Sequence, residues 1–349
     1  MLPKGLYILV LLHIVILNKV NKTRVLRTPS NFNRSSKQMK SYNKQGKQVN
    51  KICCPKCKSK NFKKNGKRKT DNRGLIQRYQ CKECSYRFIE DDGFFRMRNH
   101  PNKITCAIDL FYKGVSTRKI QSHFKAFYPH NSSNKTIYLW VVKYSKMISS
   151  FTDKLKLQVG NEIQVDEMEY HRRVSHKTKK KVAKDWFIDS IDVQTRYMVA
   201  SKYAKKREQI ELKEVLGRVR TKTEGYVTTI TTDGYMAYER VVKRTFGYNN
   251  KLGKYNVIHN KVTASKGEGF NLFIERLHNS VRERTKIFRG FHGCIESAQA
   301  IMKGYEIFYN FIREHQAINC CPYELATDIK LENPNKWLEL IEMSKLNNI

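Results

Sequence analysis

Residues 161–170 read NEIQVDEMEY and residues 226–235 read YVTTITTDGY, and the fold turns on these two stretches. In the first, Ile163 and Val165 lead to Asp166; in the second, a run of Val, Thr and Ile ends on Asp233, immediately before Gly234. β-Branched and apolar residues closed by a turn signal predict strands. DWFIDSIDV (185–193) and RYMVASKYA (196–204) read as two more strands, and EQIELKEVLGRVR (208–220) as an amphipathic helix. From Phe270 to about His315 the pattern is helical. Strands first and helices after them describe an α/β or α+β core.

A third acid stands on that later helical stretch, FNLFIERLHNSVRERTKIF (270–288). Phe270, Ile274, Leu277 and Val281 form its core stripe, and Glu275 lies about 100° to the side, sharing a flank with His278, Asn279 and Arg282. Carboxylates brought together beside an apolar core repel unless a cation joins them. Oxygen ligands with open positions suit Mg2+ or Mn2+, which keep waters and accept phosphate oxygens. The other acids have plainer explanations. Asp189 and Asp192 fit a strand and its hairpin turn, and alternation puts Glu167 on the opposite strand face from Asp166. His259 and His278 could stand near the metals, though a structural or phosphate-contacting role fits them better, and Tyr305, Phe308, Tyr309 and Ile312 read as core.

Outside these stretches, charge dominates. Lys and Arg number 68 against 31 Asp and Glu, a formal charge of +37 that favours a polyanionic partner, nucleic acid first. With 40% hydrophobic and 11% aromatic residues, wholesale disorder is excluded. The 9 cysteines are too uneven for a secreted disulfide scaffold, because Cys53, Cys54, Cys57, Cys81 and Cys84 crowd together. Cys54-Pro-Lys-Cys57 and Cys81-Lys-Glu-Cys84 are two CxxC knuckles, which together supply four thiolates to one structural Zn2+. Cys53 is an alternative to Cys54. Phe62 to Lys69 and Leu75 to Gln80 flank the turn-prone Asp71-Asn72-Arg73-Gly74, so residues 52–90 read as a zinc ribbon. A thioredoxin-like redox pair would need a single CxxC in a βαβ setting.

Residues 101–150 show three helical segments separated by KGVS and YPHNSSN. Ser116 is an N-cap candidate for the second, and Asn131 or Ser133 for the third. Three short helices with a tight turn predict a helix-turn-helix DNA-binding domain. In that reading Ser133, Asn134, Lys135 and Tyr138 contact DNA while Ile137, Trp140 and Val141 pack inward. Residues 1–51 form a basic segment expected to be disordered. Its apolar run at 5–17 imitates a signal-peptide core but lacks a cleavage motif and is too short to span a bilayer, so no membrane is expected. Met39 is an alternative start.

VDEM, then TTDGYMAY, then FNLFIERLHNSVRERTKIFRGF followed by SAQAIMKGYEIFYNFIREH, together resemble the insertion-sequence transposases with an integrase-like DDE catalytic core, in particular those that place a zinc ribbon and a helix-turn-helix ahead of it. The resemblance runs from about Cys53 to Leu325. It implies an RNase H-like catalytic domain over 158–328, with Asp166, Asp233 and Glu275 as catalytic residues holding Mg2+ or Mn2+, and Arg282 as the basic DNA-binding residue. It also implies metal-dependent end cleavage and strand transfer, with terminal inverted repeats and target DNA as partners, no small-molecule substrate, and a homodimer or larger synaptic complex inside the cell. The Asp233 to Glu275 spacing exceeds that of many relatives, with KLGKYNVIHNKVTASKGEG as the inserted stretch and Glu268 as a second choice of third ligand. Two other functions remain open: a zinc-ribbon regulator or domesticated transposase without cleavage activity, and an RNase H-like structure-specific nuclease.

Overall fold

A computed structural model describes residues 52–346, apart from 71–72, 96, 129–131, 174–181, 263–270, 287–290 and 293. The basic segment 1–51 with its apolar run, and Glu268 and Phe270, therefore lie outside the described residues. β1 (Phe62–Thr70), β2 (Gly74–Cys81) and β3 (Arg87–Ile89) form a three-stranded antiparallel sheet. Gly74 holds φ +67°, the left-handed conformation that glycine adopts without a Cβ clash. Phe62, Tyr79 and Phe88 pack edge-on and tilted beside the cysteines, a core too small to stand without help from a metal.

Three helices follow, α1 (Pro101–Tyr112), α2 (Thr117–Phe127) and α3 (Asn134–Thr152). Ser116 Oγ accepts from Lys119 N and Ser133 Oγ from Thr136 N, each serine satisfying an orphan N–H of the turn it opens. Ile137, Trp140 and Val141 are buried, as their spacing requires.

The larger sheet is built from β4 (Glu162–Arg173), β5 (Val182–Asp192), β6 (Met198–Ala204), β7 (Thr229–Thr232) and, further on, β10 (Ile258–Lys261). Its order is β10-β7-β4-β5-β6, antiparallel between β4, β5 and β6 and parallel between β4, β7 and β10. α4 (Gln209–Lys222) connects β6 to β7, and α5 (Met236–Phe246) leaves β7 toward a two-residue hairpin, β8 (Tyr248–Asn249) with β9 (Lys254–Tyr255). α6 (Leu272–Thr285) packs on β4 and β5. β11 (Phe291–His292) lies parallel to the far end of β4, and α7 (Ile295–Ile307) runs into a π-helical turn at Phe308–Ile312. α8 (Pro322–Ala326) and α9 (Lys336–Leu346) complete the chain. A mixed sheet of three antiparallel strands extended by parallel ones, with helices against it, is the RNase H-like arrangement.

One hydrophobic core runs from Phe94 and Ile104 to Ile341, so α1 to α3 share their interior with the sheet domain. Tyr112 Oη meets Ser145 Oγ at 2.9 Å and donates to Ile301 O at 3.1 Å, joining α1, α3 and α7. Among the described residues, no helix is long and apolar enough to cross a membrane.

Candidate active site and metal centre

The two carboxylates at 166 and 233 are brought together by strand register. β4 and β7 pair in parallel as Glu162 with Thr229, Ile163 with Ile230 and Gln164 with Thr231. Two residues beyond that last pair, on each chain segment, stand Asp166 and Asp233. Both are partly buried. Asp233 Oδ1 accepts from Tyr235 N at 2.9 Å, a local turn that holds the side chain at the strand end. Asp166 Oδ1 accepts from Glu167 N at 2.8 Å. Burial pushes the Asp166 carboxyl up to about 7, against the pull of His278.

The strand face opposite Asp166 carries Glu167, as alternation requires. Its carboxylate accepts from Tyr238 Oη at 2.5 Å and from Arg207 Nη1 at 2.9 Å. The Arg207 guanidinium lies between the rings of Trp186 and Tyr235, 4.3 and 4.6 Å from their centroids. These aromatic and ionic contacts stiffen the loop between Asp233 and α5. Sequence reasoning did not single out Arg207.

Glu275 occupies the first turn of α6, exposed to solvent, and Arg282 and Glu283 are exposed further along the helix. Ile274, Leu277 and Val281 are buried as expected. His278 departs from the exposed flank on which Glu275, Asn279 and Arg282 lie: it is 3% exposed and aimed at the sheet. Its Nε2 is 2.7 Å from Asp189 Oδ1 and its Nδ1 is 3.5 Å from Asp166 Oδ2. Asp189 is fully buried opposite Asp166 in the β4–β5 ladder. Asp192, by contrast, closes the turn it was expected to close, accepting from Thr195 N at 2.8 Å and from Gly160 N at 3.0 Å. His259 contacts Thr232 Oγ1 at 2.9 Å, on the strand that leads to Asp233.

In the ribbon, the sulfurs of Cys54, Cys57, Cys81 and Cys84 lie within 4.8 Å of one another; among the described residues, no other group of three or more His, Cys, Asp or Glu is so closely gathered. Cys54 and Cys84, and Cys57 and Cys81, are 3.5 Å apart. Such separations suit four thiolates at about 2.3 Å around one tetrahedral Zn2+. Backbone N–H groups of Lys56 and Cys57 donate to Cys54 Sγ, and those of Glu83 and Cys84 to Cys81 Sγ, which favours the thiolate form a metal takes. Cys53 stands outside the cluster.

Of the residues expected to touch DNA, Ser133 and Lys135 are exposed at the start of α3, while Asn134 and Tyr138 are half-buried. Asn134 N donates to Gln121 Oε1, tying α3 to α2.

The architecture defines an RNase H-like α/β core preceded by a four-cysteine ribbon. Residues 177–315 match the family model of a DDE domain, DDE_Tnp_IS240. Residues 177–315 are thus similar to the DDE domain of insertion-sequence transposases, and a zinc-ribbon-type cysteine cluster stands ahead of them. The matched segment holds Asp189, Asp233, Glu275, His278 and Arg282; Asp166 lies before it. No curated protein matches the chain.

Proposed function

We propose that this protein catalyses DNA transposition, cutting the ends of a mobile element and joining them to target DNA, with Asp166, Asp233 and Glu275 as its catalytic residues. The β4–β7 register that sets Asp166 beside Asp233 carries the reading. DDE domains work with divalent metals, and the donors here are of the kind such an ion takes, a carboxyl raised by burial, a second acid beside it in the strand register, and an exposed third on a helix packed against the same strand, although among the described residues the three are not gathered as closely as the four cysteines. Asp166, Asp233 and Glu275 would hold Mg2+ or Mn2+, which in such sites activates water or a 3′-hydroxyl and stabilises the leaving oxygen. The chain's own part is to fix the three carboxylates, one within β4, one just past the end of β7 and one on α6, and to bind the DNA backbone through Arg282. Residues 52–90 would serve as the zinc ribbon, 101–150 as a helix-turn-helix with Ser133, Asn134, Lys135 and Tyr138 at the DNA, and 158–328 as the catalytic domain. Joining two ends calls for a dimer or a larger synaptic complex.

Asp166→Asn, Asp233→Asn and Glu275→Gln each remove one charge at constant size. On duplexes carrying the element's ends, each is expected to lose cleavage and joining by several orders of magnitude while retaining DNA binding, and the losses should not multiply, since they disable one shared site. Glu283, more than two turns along α6, should tolerate Gln. Cleavage by Glu275→Gln at near wild-type rate would overturn the assignment.

A further inference from the structure

Two polar tethers hold α6 against the strand that bears Asp166, one on each side of Glu275. The first is Gln164, buried at 4% exposure and two residues before Asp166, on the same face of β4. Its Oε1 accepts from Phe273 N at 3.1 Å and from Ile274 N at 3.2 Å, two of the N–H groups that an α-helix leaves unpaired at its start. The second is His278, one turn after Glu275, which stands between Asp189 and Asp166. Those two acids are direct cross-strand partners, a placement that brings Cβ atoms to about 4.5–5.5 Å and sets like charges against each other. Asp189 is wholly buried, and its Oδ2 has no hydrogen-bond partner among the described residues, so Oδ1 to His278 is the contact that holds it.

We propose that Gln164 and the Asp189–His278 pair are positioning residues for the metal-binding carboxylates: the pair orients Asp166, and the two tethers together set the axial position of α6 and so the distance from Asp166 to Glu275. This deepens the transposase reading and rests on it. A core histidine that served only packing would need no carboxylate on either side, and a helix docked by its apolar stripe alone could slide along the sheet. Outer-shell partners of this kind typically change metal affinity 10- to 100-fold when removed.

The test uses the full chain with zinc bound and Mn2+ as the probe, in two measurements. The DNA-free protein is titrated with Mn2+ while the electron paramagnetic resonance of the free ion is followed, and cleavage of end-bearing duplexes is measured across Mn2+ concentrations. His278→Leu, Asp189→Asn and Gln164→Met are expected to weaken Mn2+ binding, and to raise the half-saturating Mn2+ concentration for cleavage, by about 10- to 100-fold. Excess Mn2+ should restore part of the rate, and His278→Gln, which keeps one donor, should fall between His278→Leu and wild type. If the folded variants bind Mn2+ as wild type does, whatever their rates, the positioning role is overturned. Should His278→Leu fail to fold, Asp189→Asn and Gln164→Met decide the matter. Asp166→Asn separates the two levels: if it too binds Mn2+ and cleaves normally, the transposase site itself has been misplaced, whereas its loss beside intact tether variants refutes the tethers alone.

Discussion

Glu306 is a charged residue that the interior has almost closed over, at 3% exposure, and its surroundings show why it is tolerated. It accepts from Ser201 Oγ at 2.5 Å and Lys303 Nζ at 2.9 Å, with Lys222 Nζ 3.7 Å away. Lys222, equally buried, also reaches Asp153 at 3.3 Å, and Lys303 reaches Asp153 at 2.8 Å. Removing one member of a buried ionic group leaves the remaining charges uncompensated, so Glu306→Gln should cost about 3–5 kcal/mol of unfolding free energy in urea titrations. Asp153 carries the pH dependence. Burial alone would raise its carboxyl, but the Lys303 and Lys222 ammonium groups outweigh that and hold it below the ordinary value. A depressed carboxyl contributes stability that is present above the unfolded-state pKa of about 3.9 and is lost as pH falls below it. Thermal unfolding followed from pH 6 downward should therefore show a steeper acid loss for wild type than for Asp153→Asn. None of this was legible in the sequence, because its partners come from β6, α4, α7 and the residue that closes α3, and chain order does not reveal which helices meet. His278 is an intermediate case. Helical spacing put it on the flank of Glu275, Asn279 and Arg282, yet it borders Ile274 and Leu277 and turns inward; its burial and the acid facing it required the packing of α6 on the β4–β5 register.

At the scale of elements, Gly304 marks a close approach between α7 and the helices before the sheet. A Cβ built on Gly304 would lie 1.9 Å from Tyr112 Oη and 2.2 Å from Ser145 Oγ, two atoms already bonded to each other. Neither can retreat without breaking that hydrogen bond or leaving the core. Overpacking of a tight interior costs about 1–3 kcal/mol, so Gly304→Ala should lower stability by that amount in denaturant titrations and loosen α1 and α3 from α7, visible as faster amide exchange in those helices. An unchanged exchange pattern would mean that the helices find another seat. Elements governed by local chemistry were readable: the caps at Ser116 and Ser133, the two knuckles, and the strands around Asp166 and Asp233. Elements governed by tertiary contact were not. α5 lacks a polar N-cap, with Tyr235 in that place and no side-chain hydrogen bond, and begins at Met236, with Gly234 and Tyr235 between it and the strand-end acid. α9 owes its place to Trp337, Leu340 and Ile341 entering a core formed by α1 and α3, far away in the chain. The π-helical turn at Phe308–Ile312 falls within an aromatic run that looks like continuous α-helix by spacing alone.

For the whole molecule the governing quantity is the +37 charge, and its distribution suggests how DNA would be held. The ribbon exposes Lys63, Lys64, Lys67, Arg68 and Lys69 along β1, and α2 exposes Arg118, Lys119 and Lys125. Contacts of this kind neutralise phosphates and release counterions, so log affinity should fall linearly with log salt at about −0.9 per phosphate contacted. Such contacts do not read sequence; the start of α3 is the place where bases could be read. Not every residue there is a clean probe. Ser133 caps the helix through Thr136 N, and replacing it would cost about 1 kcal/mol of helix stability whatever its role at DNA. Tyr138 packs partly against the core, so its removal would confound stability with binding. Lys135 is exposed, and the Asn134 side chain can be removed while its backbone N–H keeps the bond to Gln121. Asn134→Ala and Lys135→Ala should therefore leave folding intact and lower affinity for the element's ends by about 1–3 kcal/mol each if they contact base edges, with little change for random duplex. A residue that contacts phosphate instead would weaken both DNAs equally and reduce the salt slope by about one contact. Fluorescence anisotropy on both duplexes at several salt concentrations separates the two cases, and equal losses with a shallower slope for both residues would remove α3 from sequence recognition and transfer that role to the ribbon.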